Sequence, residues 1–341
     1  MIERERERES MISITGQTII SLQIQPFAPN PLPISGHSPP RTIHRTLSLR
    51  PKSPITPPIF SLKSHQTRIS EKTQEDGIPI ADVKILAKFK SRHNYIRVLE
   101  VSRRADHPFA GSRLLLLDGP GNIHSISFLL KSLTSTYFDV FATLPPILPP
   151  GPLGILGFGA GSAARLVLDL YPNGVIHGWE LDSAVISVGR EYFGLAKLEK
   201  KHPDRLFVHI GNALDAEIRD GFSGLLVDLF GKGHVIPELQ NPNTWERLKG
   251  RMRRGGRIMV NVGGSCVEPE DSRRDGRTIM EETLRALLEA FPGEVSVLRL
   301  GNKKEDSSVA MTGELPKTEE WKNVLPKPLR SYADMWKPFN G

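Results

Sequence analysis

The feature that most restricts this chain is Gly157-Phe158-Gly159-Ala160-Gly161-Ser162, lodged between an apolar run at 153–157 and a helical pattern at 163–170. Alternating glycines let a backbone approach a ligand and take conformations that a Cβ forbids. The helix that follows offers unpaired N–H groups and the positive end of its dipole. A strand, a glycine-rich turn and a helix in that order begin a parallel sheet, and the chain continues the alternation. Strand patterns recur at 175–179, 206–210, 224–227 and 257–262, with helical patterns at 184–192 and 245–252. Gly255-Gly256 reads as a break before the last of these strands. A helix at 278–291 stops at Pro292-Gly293, and 295–300 with 308–312 reads as a closing pair of strands. The predicted class is α/β, with a mostly parallel sheet, helices on both faces, and a domain over 151–312.

Upstream, 83–89 and 95–102 alternate apolar and polar residues, and 114–117 is a short apolar run ending in Asp118-Gly119. These predict a small antiparallel β unit. The stretch 125–144 carries helical spacing through Phe128, Leu129, Leu133, Tyr137 and Phe141, so 79–145 is expected to be that β unit plus a helix. Pro145, Pro146, Pro149 and Pro150 form a stiff boundary behind it. In the tail at 313–341, Trp321, Leu325, Tyr332 and Trp336 alternate with charges, a pattern expected to fold back on its own domain.

A formal net charge of +7 invites a nucleic-acid reading, but residues 1–70 hold 9 Lys/Arg and 4 Asp/Glu, leaving the body close to neutral. No polyanion partner is expected. Residues 10–70 contain no Asp or Glu while carrying 6 Lys/Arg, 16 Ser/Thr and 10 Pro. Such a segment buries too little apolar surface to fold, and an acid-free, Ser-rich, basic composition is that of an organelle transit peptide. A chloroplast is the expected destination, ahead of a mitochondrion or the cytoplasm, because the segment is rich in Ser, Thr and Pro and shows no Arg-bearing amphipathic helix. The alternating Glu-Arg run at 3–9 is what a dinucleotide repeat upstream of the true start would encode, which makes Met11 an alternative initiator to Met1. Cys266 is the only cysteine, which excludes a disulfide framework or a cysteine metal cluster; a small buried hydrophobe is the expected role, and no metal is expected. No apolar stretch approaches a membrane span.

Glu180 ends the second strand pattern 23 residues beyond Gly157, where an acid can accept hydrogen bonds from both hydroxyls of a ribose. Asp182 precedes the next helical pattern and is expected to cap it. Asn212, just past the third strand, either reads an adenine edge or closes an Asx turn. Asp228 ends the fourth strand, at the carboxyl edge where open α/β sheets bind ligands. The competing reading is a dinucleotide domain of a NAD-dependent dehydrogenase, whose third glycine would fall at Ser162.

The body resembles the spermidine synthase family of polyamine aminopropyltransferases. The segment Ser91-Arg92-His93-Asn94-Tyr95-Ile96-Arg97-Val98 with Leu115-Leu116-Leu117-Asp118-Gly119 is similar to the family's S-x-Y-Q-x-I-x-V … V-L-D-G unit. Gly157 to Gly161 matches its G-G-G-D-G loop, and Trp179-Glu180-Leu181-Asp182-Ser183-Ala184-Val185-Ile186 its x-E-I-D-x-x-V-I segment. The resemblance implies a Rossmann-like S-adenosylmethionine-type transferase domain behind the small β unit. It implies S-adenosylmethionine or its decarboxylated form as donor, held by Gly157, Gly159, Gly161, Glu180, Asn212 and Asn94. Asp228 would deprotonate the attacking amine, and Tyr137 would touch a small-molecule acceptor. A homodimer fits the same picture.

The departures from the family pattern share one chemistry. The loop Asp is Ala160, the second Asp of D-S-S-D is Gly231, the Tyr-Gln pair is Tyr137-Phe138, the acid near adenine is Asn212, and the Tyr-Pro-Ser-Gly stretch is Asn302-Lys303-Lys304-Glu305-Asp306. Carboxylates that would receive ammonium groups are gone, and a dication is costly to bind without paired anions. The expectation is therefore a spermidine-synthase-like transferase with a modified acceptor site. The alternatives are an S-adenosylmethionine-dependent methyltransferase and a nucleoside-binding relative without catalysis.

Overall fold

A computed structural model describes residues 19–21, 77–118, 123–265, 274–301 and 306–341. The leader apart from 19–21, Cys266, and the stretch from Asn302 to Glu305 lie outside the described residues. The described residues from 77 to 341 belong to one compact unit.

Four antiparallel strands come first: β1 (Val83–Lys90), β2 (Tyr95–Val101), β3 (Ser112–Leu117) and β4 (Ile123–Phe128), paired in that order. Here the structure corrects the helix expected over 125–144. Leu114 faces Ile126 and Leu115 faces Ser125 across a ladder, so the first part of that stretch is β4. Helical spacing there was coincidental. Ile123 and Ile126 are buried, whereas Leu129, which the expected helix would have buried, is exposed. The helix that does form is one short turn and a half, α1 (Tyr137–Phe141), capped by Thr136, whose hydroxyl accepts the Phe138 N–H.

The large sheet is built from β5 (Leu153–Leu156), β6 (Ile176–Glu180), β7 (Leu206–Ile210), β8 (Phe222–Val227), β9 (Met252–Gly263), β10 (Val295–Gly301) and β11 (Asp306–Thr312). Its order is β7-β6-β5-β8-β9-β11-β10, extended past β10 by Lys337–Pro338. The strands from β7 to β9 are parallel, and β11 runs antiparallel between β9 and β10. Strand β5 is buried along its whole length, as a central parallel strand covered on both faces must be. Gly255-Gly256 does not break the chain: β9 runs through both, with a register shift against Phe222 and Gly224. The glycines serve an irregularity within a strand, a use that composition cannot separate from a strand end.

Alternation along the strands sends side chains to two cores. Leu153, Ile155, Leu226 and Met259 pack with α2 (Ser162–Leu170), α1 and the C-terminal tail, while Leu225, Val227, Ile258 and Val260 pack with α4 (Pro242–Gly250) and α5 (Gly276–Ala290). Tail residues Trp321, Leu325, Leu329, Tyr332 and Trp336 are buried in the first core, so the tail folds back as its pattern predicted. The small sheet rests Ile96, Val98, Leu115 and Leu117 on Val185 and Val188 of α3 (Ser183–Tyr192) and on Ala160. No helix among the described residues is long and apolar enough to cross a membrane.

Candidate active site

Strands β5 and β8 are neighbours in space but not in sequence, and the chain winds away from them in opposite directions. That switch point opens a crevice beyond the carboxyl ends of the strands. The loop after β5 carries Gly157, Gly159 and Gly161, and Asp228 follows β8. Gly157 stands at φ 85°, and a Cβ there would lie 2.1 Å from the Asp228 carbonyl oxygen. Only glycine lets the two loops meet this closely. Gly161 opens α2 from the left-handed region at φ 89°.

Glu180 turns toward the glycine loop. One carboxylate oxygen accepts the Gly159 N–H at 2.9 Å and the other accepts the Asp182 N–H at 3.0 Å. Burial raises its pKa above the ordinary value, the two backbone donors pull it back down, and the nearby Asp182 raises it further. Asp182 is buried and caps α3 by accepting the Ala184 N–H, as the sequence predicted. Its second oxygen receives the Ser91 hydroxyl and, at 2.7 Å, the Asn94 amide. The structure thus places Asn94 on the cap of α3, where it ties the small sheet to the loop that ends in Glu180. Leu181 and Ile210 flank this acid and are 52% and 58% exposed. Large apolar side chains left open beside a buried carboxylate form a small apolar patch at this edge of the crevice. Asn212 spends its side chain locally: its oxygen accepts the Leu214 N–H and its amide donates to Asp215, an Asx turn on an exposed residue.

Asp228 is the second centre. The Tyr137 hydroxyl donates to one carboxylate oxygen at 2.7 Å, and the Asn261 amide donates to the other at 3.0 Å. Burial pushes its pKa up to about 6, against the pull of these two donors and with a smaller push from Glu180. A carboxylate with that pKa exchanges protons near neutral pH, as a general base requires. The aim of Tyr137 depends on a buried anchor: Asp139 accepts the N–H and hydroxyl of Thr134 and the N–H of Ser135. Sequence reasoning missed Asn261. It lies in the apolar strand β9, and a polar residue amid buried Met259, Val260 and Val262 was the available signal.

The glycine loop is also roofed. Ser125 of β4 accepts the Ala160 N–H at 2.8 Å, and Ile126 exchanges both backbone groups with the Ser162 hydroxyl. Strand β4 therefore occupies the start of α2, where a dinucleotide would seat its pyrophosphate. That speaks against the NAD reading. Ala160 is 1% exposed within an apolar cluster, and Phe138 is buried against Tyr137 with ring centroids 4.2 Å apart. Gly231 lies exposed in the hairpin beyond Asp228. Among the described residues no cluster of His, Cys, Asp or Glu is arranged to hold a metal.

No family model matches the chain. A probable polyamine aminopropyl transferase of Bifidobacterium longum is 22% identical over 187 residues, covering 54% of this chain and 39% of the relative. The eEF1A lysine and N-terminal methyltransferase of Homo sapiens is 23% identical over 208 residues, covering 56% of this chain and 29% of the relative. The chain thus spans well under half the length of these curated relatives. Among solved structures, Thermotoga maritima spermidine synthase aligns with a TM-score of 0.51 at 15% identity, over 74% of this chain and 88% of that one. A probable spermidine synthase of Corynebacterium glutamicum aligns with a TM-score of 0.52 at 15% identity, over 76% and 97%. A mostly parallel seven-strand core, a small antiparallel sheet over its glycine loop and these alignments agree on one architecture: in fold, the chain is spermidine-synthase-like.

Proposed function

We propose that this chain is a transferase that uses S-adenosylmethionine or a close derivative, with an acceptor site altered from that of polyamine synthesis. The observation that carries the reading is the pairing of Glu180, bonded to Gly159, with Asp228, held between Tyr137 and Asn261, across one switch-point crevice. Glu180 would take the ribose hydroxyls, Gly157, Gly159 and Gly161 would give the nucleoside its backbone floor, and Leu181 and Ile210 would cover the base. Asp228 would take the proton from the acceptor's amine or hydroxyl as that atom forms its bond to the carbon on sulfonium. The carbon–sulfur bond breaks in the same step, its electron pair staying on sulfur, and a neutral thioether leaves. Positioning donor and acceptor in line supplies most of the remaining acceleration.

Methyl transfer gains support from the enclosure of Ala160 and Phe138, since neither position can present a carboxylate or amide to an ammonium group. Putrescine is therefore expected to be a poor acceptor. The test of the donor is calorimetry with S-adenosylmethionine and NAD on the intact chain and on Glu180→Gln. Binding of the former alone, weakened by about 1–3 kcal/mol in the variant, supports the reading; binding of NAD alone would sink it. An aminopropyl transfer assay with putrescine and the decarboxylated donor tests the acceptor, and robust turnover would return the chain to polyamine synthesis. For the leader we propose plastid import, supported by its acid-free composition at 10–70; a full-length fluorescent fusion that stays in the cytosol would overturn it.

A further inference from the structure

The two edges of the large sheet are finished differently. One ends at Lys337–Pro338, two exposed residues of which the proline has no N–H to offer. A short edge with Lys and Pro resists further pairing. The other edge is β7, Leu206-Phe207-Val208-His209-Ile210, a strand without Lys, Arg, Asp, Glu or Pro. It pairs with β6 in unbroken register on one side, and no described strand lies on the other. The Ile176 N–H donates to the Arg205 carbonyl and the Gly211 N–H to the Glu180 carbonyl, so 205, 207, 209 and 211 turn their backbone groups toward β6. Val208 and Ile210 therefore point N–H and C=O outward. So does the carbonyl of Leu206, whose N–H donates to the His202 carbonyl. The side chains match this open edge. The ring nitrogens of His177 and His209 meet at 3.1 Å, His209 stacks on Trp179 with centroids 4.4 Å apart, and Phe207 stacks on His177 at 4.6 Å. That aromatic row stops at the edge strand, where Phe207 is 37% exposed.

We infer that β7 seats a second copy of this chain, paired antiparallel about a two-fold axis at Val208, so that the large sheet runs on from one protomer into the other. The register is self-complementary. Val208 exchanges both backbone bonds with its counterpart, and the Ile210 N–H of each copy meets the Leu206 carbonyl of the other. Phe207 then lies opposite the His209 position of the other copy in a non-hydrogen-bonded pair, the closer of the two cross-strand arrangements. The aromatic row thus continues through the axis. Charge selects the same direction. The segment before the strand, 197–205, is net positive through Lys197, Lys200 and Lys201, while 212–220 is net negative through Asp215, Glu217 and Asp220. Antiparallel pairing sets each flank against its opposite, whereas a parallel copy would set like against like. Closure follows as well, because a two-fold pairing uses up β7 in both copies and the Lys337–Pro338 edges do not propagate it. An edge this short buries little area, which makes the dimer a weak, concentration-dependent one. The pairing goes beyond the reaction proposed above and uses the side chain of neither Glu180 nor Asp228.

Sedimentation velocity of the full chain over about 1–100 µM tests the pairing. A shift from monomer toward dimer with rising concentration is expected. Val208→Pro removes an outward N–H that β6 does not use, so the strand keeps its ladder while the bonds between copies are lost. It should sediment as a monomer throughout, with a melting temperature close to that of the unmodified chain. Phe207→Lys leaves the backbone untouched and puts a charge into the aromatic row, and it should raise the dissociation constant at least about tenfold. An unmodified chain that stays monomeric at every concentration would overturn the inference and give the edge to another occupant. A dimer that persists in folded Val208→Pro, or whose dissociation constant is unchanged by Phe207→Lys, would put the interface on another face and overturn it too. Where Val208→Pro melts far below the unmodified chain, Phe207→Lys decides alone.

Discussion

The two sides of the crevice are built differently. On the proposed nucleoside side, Gly159, Glu180 and Asp182 lie within the consecutive segment β5–α2–β6 and the turn after it, and their bonds to one another span 21 residues or fewer. On the acceptor side, Tyr137 reaches Asp228 across 91 positions and Asn261 across 33. The bonds of Glu180 are thus set by local chain geometry, with Asn94 and Ser125 bracing their neighbours from the small sheet, while the Asp228 side exists only once α1, β8 and β9 have packed. A side assembled from distant segments can change its chemistry by single substitutions without disturbing the other, which fits the proposed acceptor-site departures at Phe138 and Gly231.

The comparison breaks hardest at Asp228. Asp228→Asn is expected to lower turnover by about 10²- to 10⁴-fold while leaving S-adenosylmethionine binding nearly unchanged. Loss of donor binding in the same variant would show that the two sides are not separable. The substitution also has a stability signature. The folded carboxyl titrates at about 6, above its ordinary 3.8, so the folded state holds the proton through that window. Stability from this group falls as pH rises from about 4 to 6, and the cost, on the order of 1–3 kcal/mol, persists above it. In Asp228→Asn the pH dependence of the melting temperature should flatten over that interval.

Gly157→Ala probes a point where the two sides touch. Its Cβ would lie 2.1 Å from the Asp228 carbonyl, at a φ that alanine resists. A destabilisation of about 2–4 kcal/mol is expected, read by denaturant unfolding, with both donor binding and turnover impaired. A neutral outcome would mean that the loops move apart freely.

The smallest effect sharpens the acceptor side alone. Tyr137→Phe removes a hydrogen bond that holds the Asp228 pKa down. The acid limb of the kcat/KM profile should therefore move above pH 6, with turnover near pH 8 reduced only several-fold. An unmoved or lowered limb would place the titrating group elsewhere.

What could be read without coordinates follows the same division. The glycine loop, Glu180 at a strand end, the capping role of Asp182 and the alternating strands and helices from 153 onward are all signalled by neighbours in sequence. Asp228 was legible because strand ends of parallel sheets carry ligands. Residues 123–128 were not, since Phe128, Leu129 and Leu133 repeat at helical intervals, and only pairing of Leu114 with Ile126 decides for a strand. Gly255-Gly256 misled for a related reason: whether paired glycines end a strand or bend it depends on the partner strand.

The chain by itself therefore determined the α/β class, the glycine-rich loop and the absence of carboxylates at 160 and 231, because turn chemistry, periodicity and residue type are properties of short segments. Only the tertiary structure decided that Asn261 and Tyr137 share Asp228, that β4 roofs the start of α2, and that the His124 Nε2 is enclosed without a hydrogen-bond partner among the described residues. Each of those depends on burial and on contacts between segments far apart in sequence, and desolvation, which sets the pKa of Asp228 and of His124, does not exist until the chain has packed.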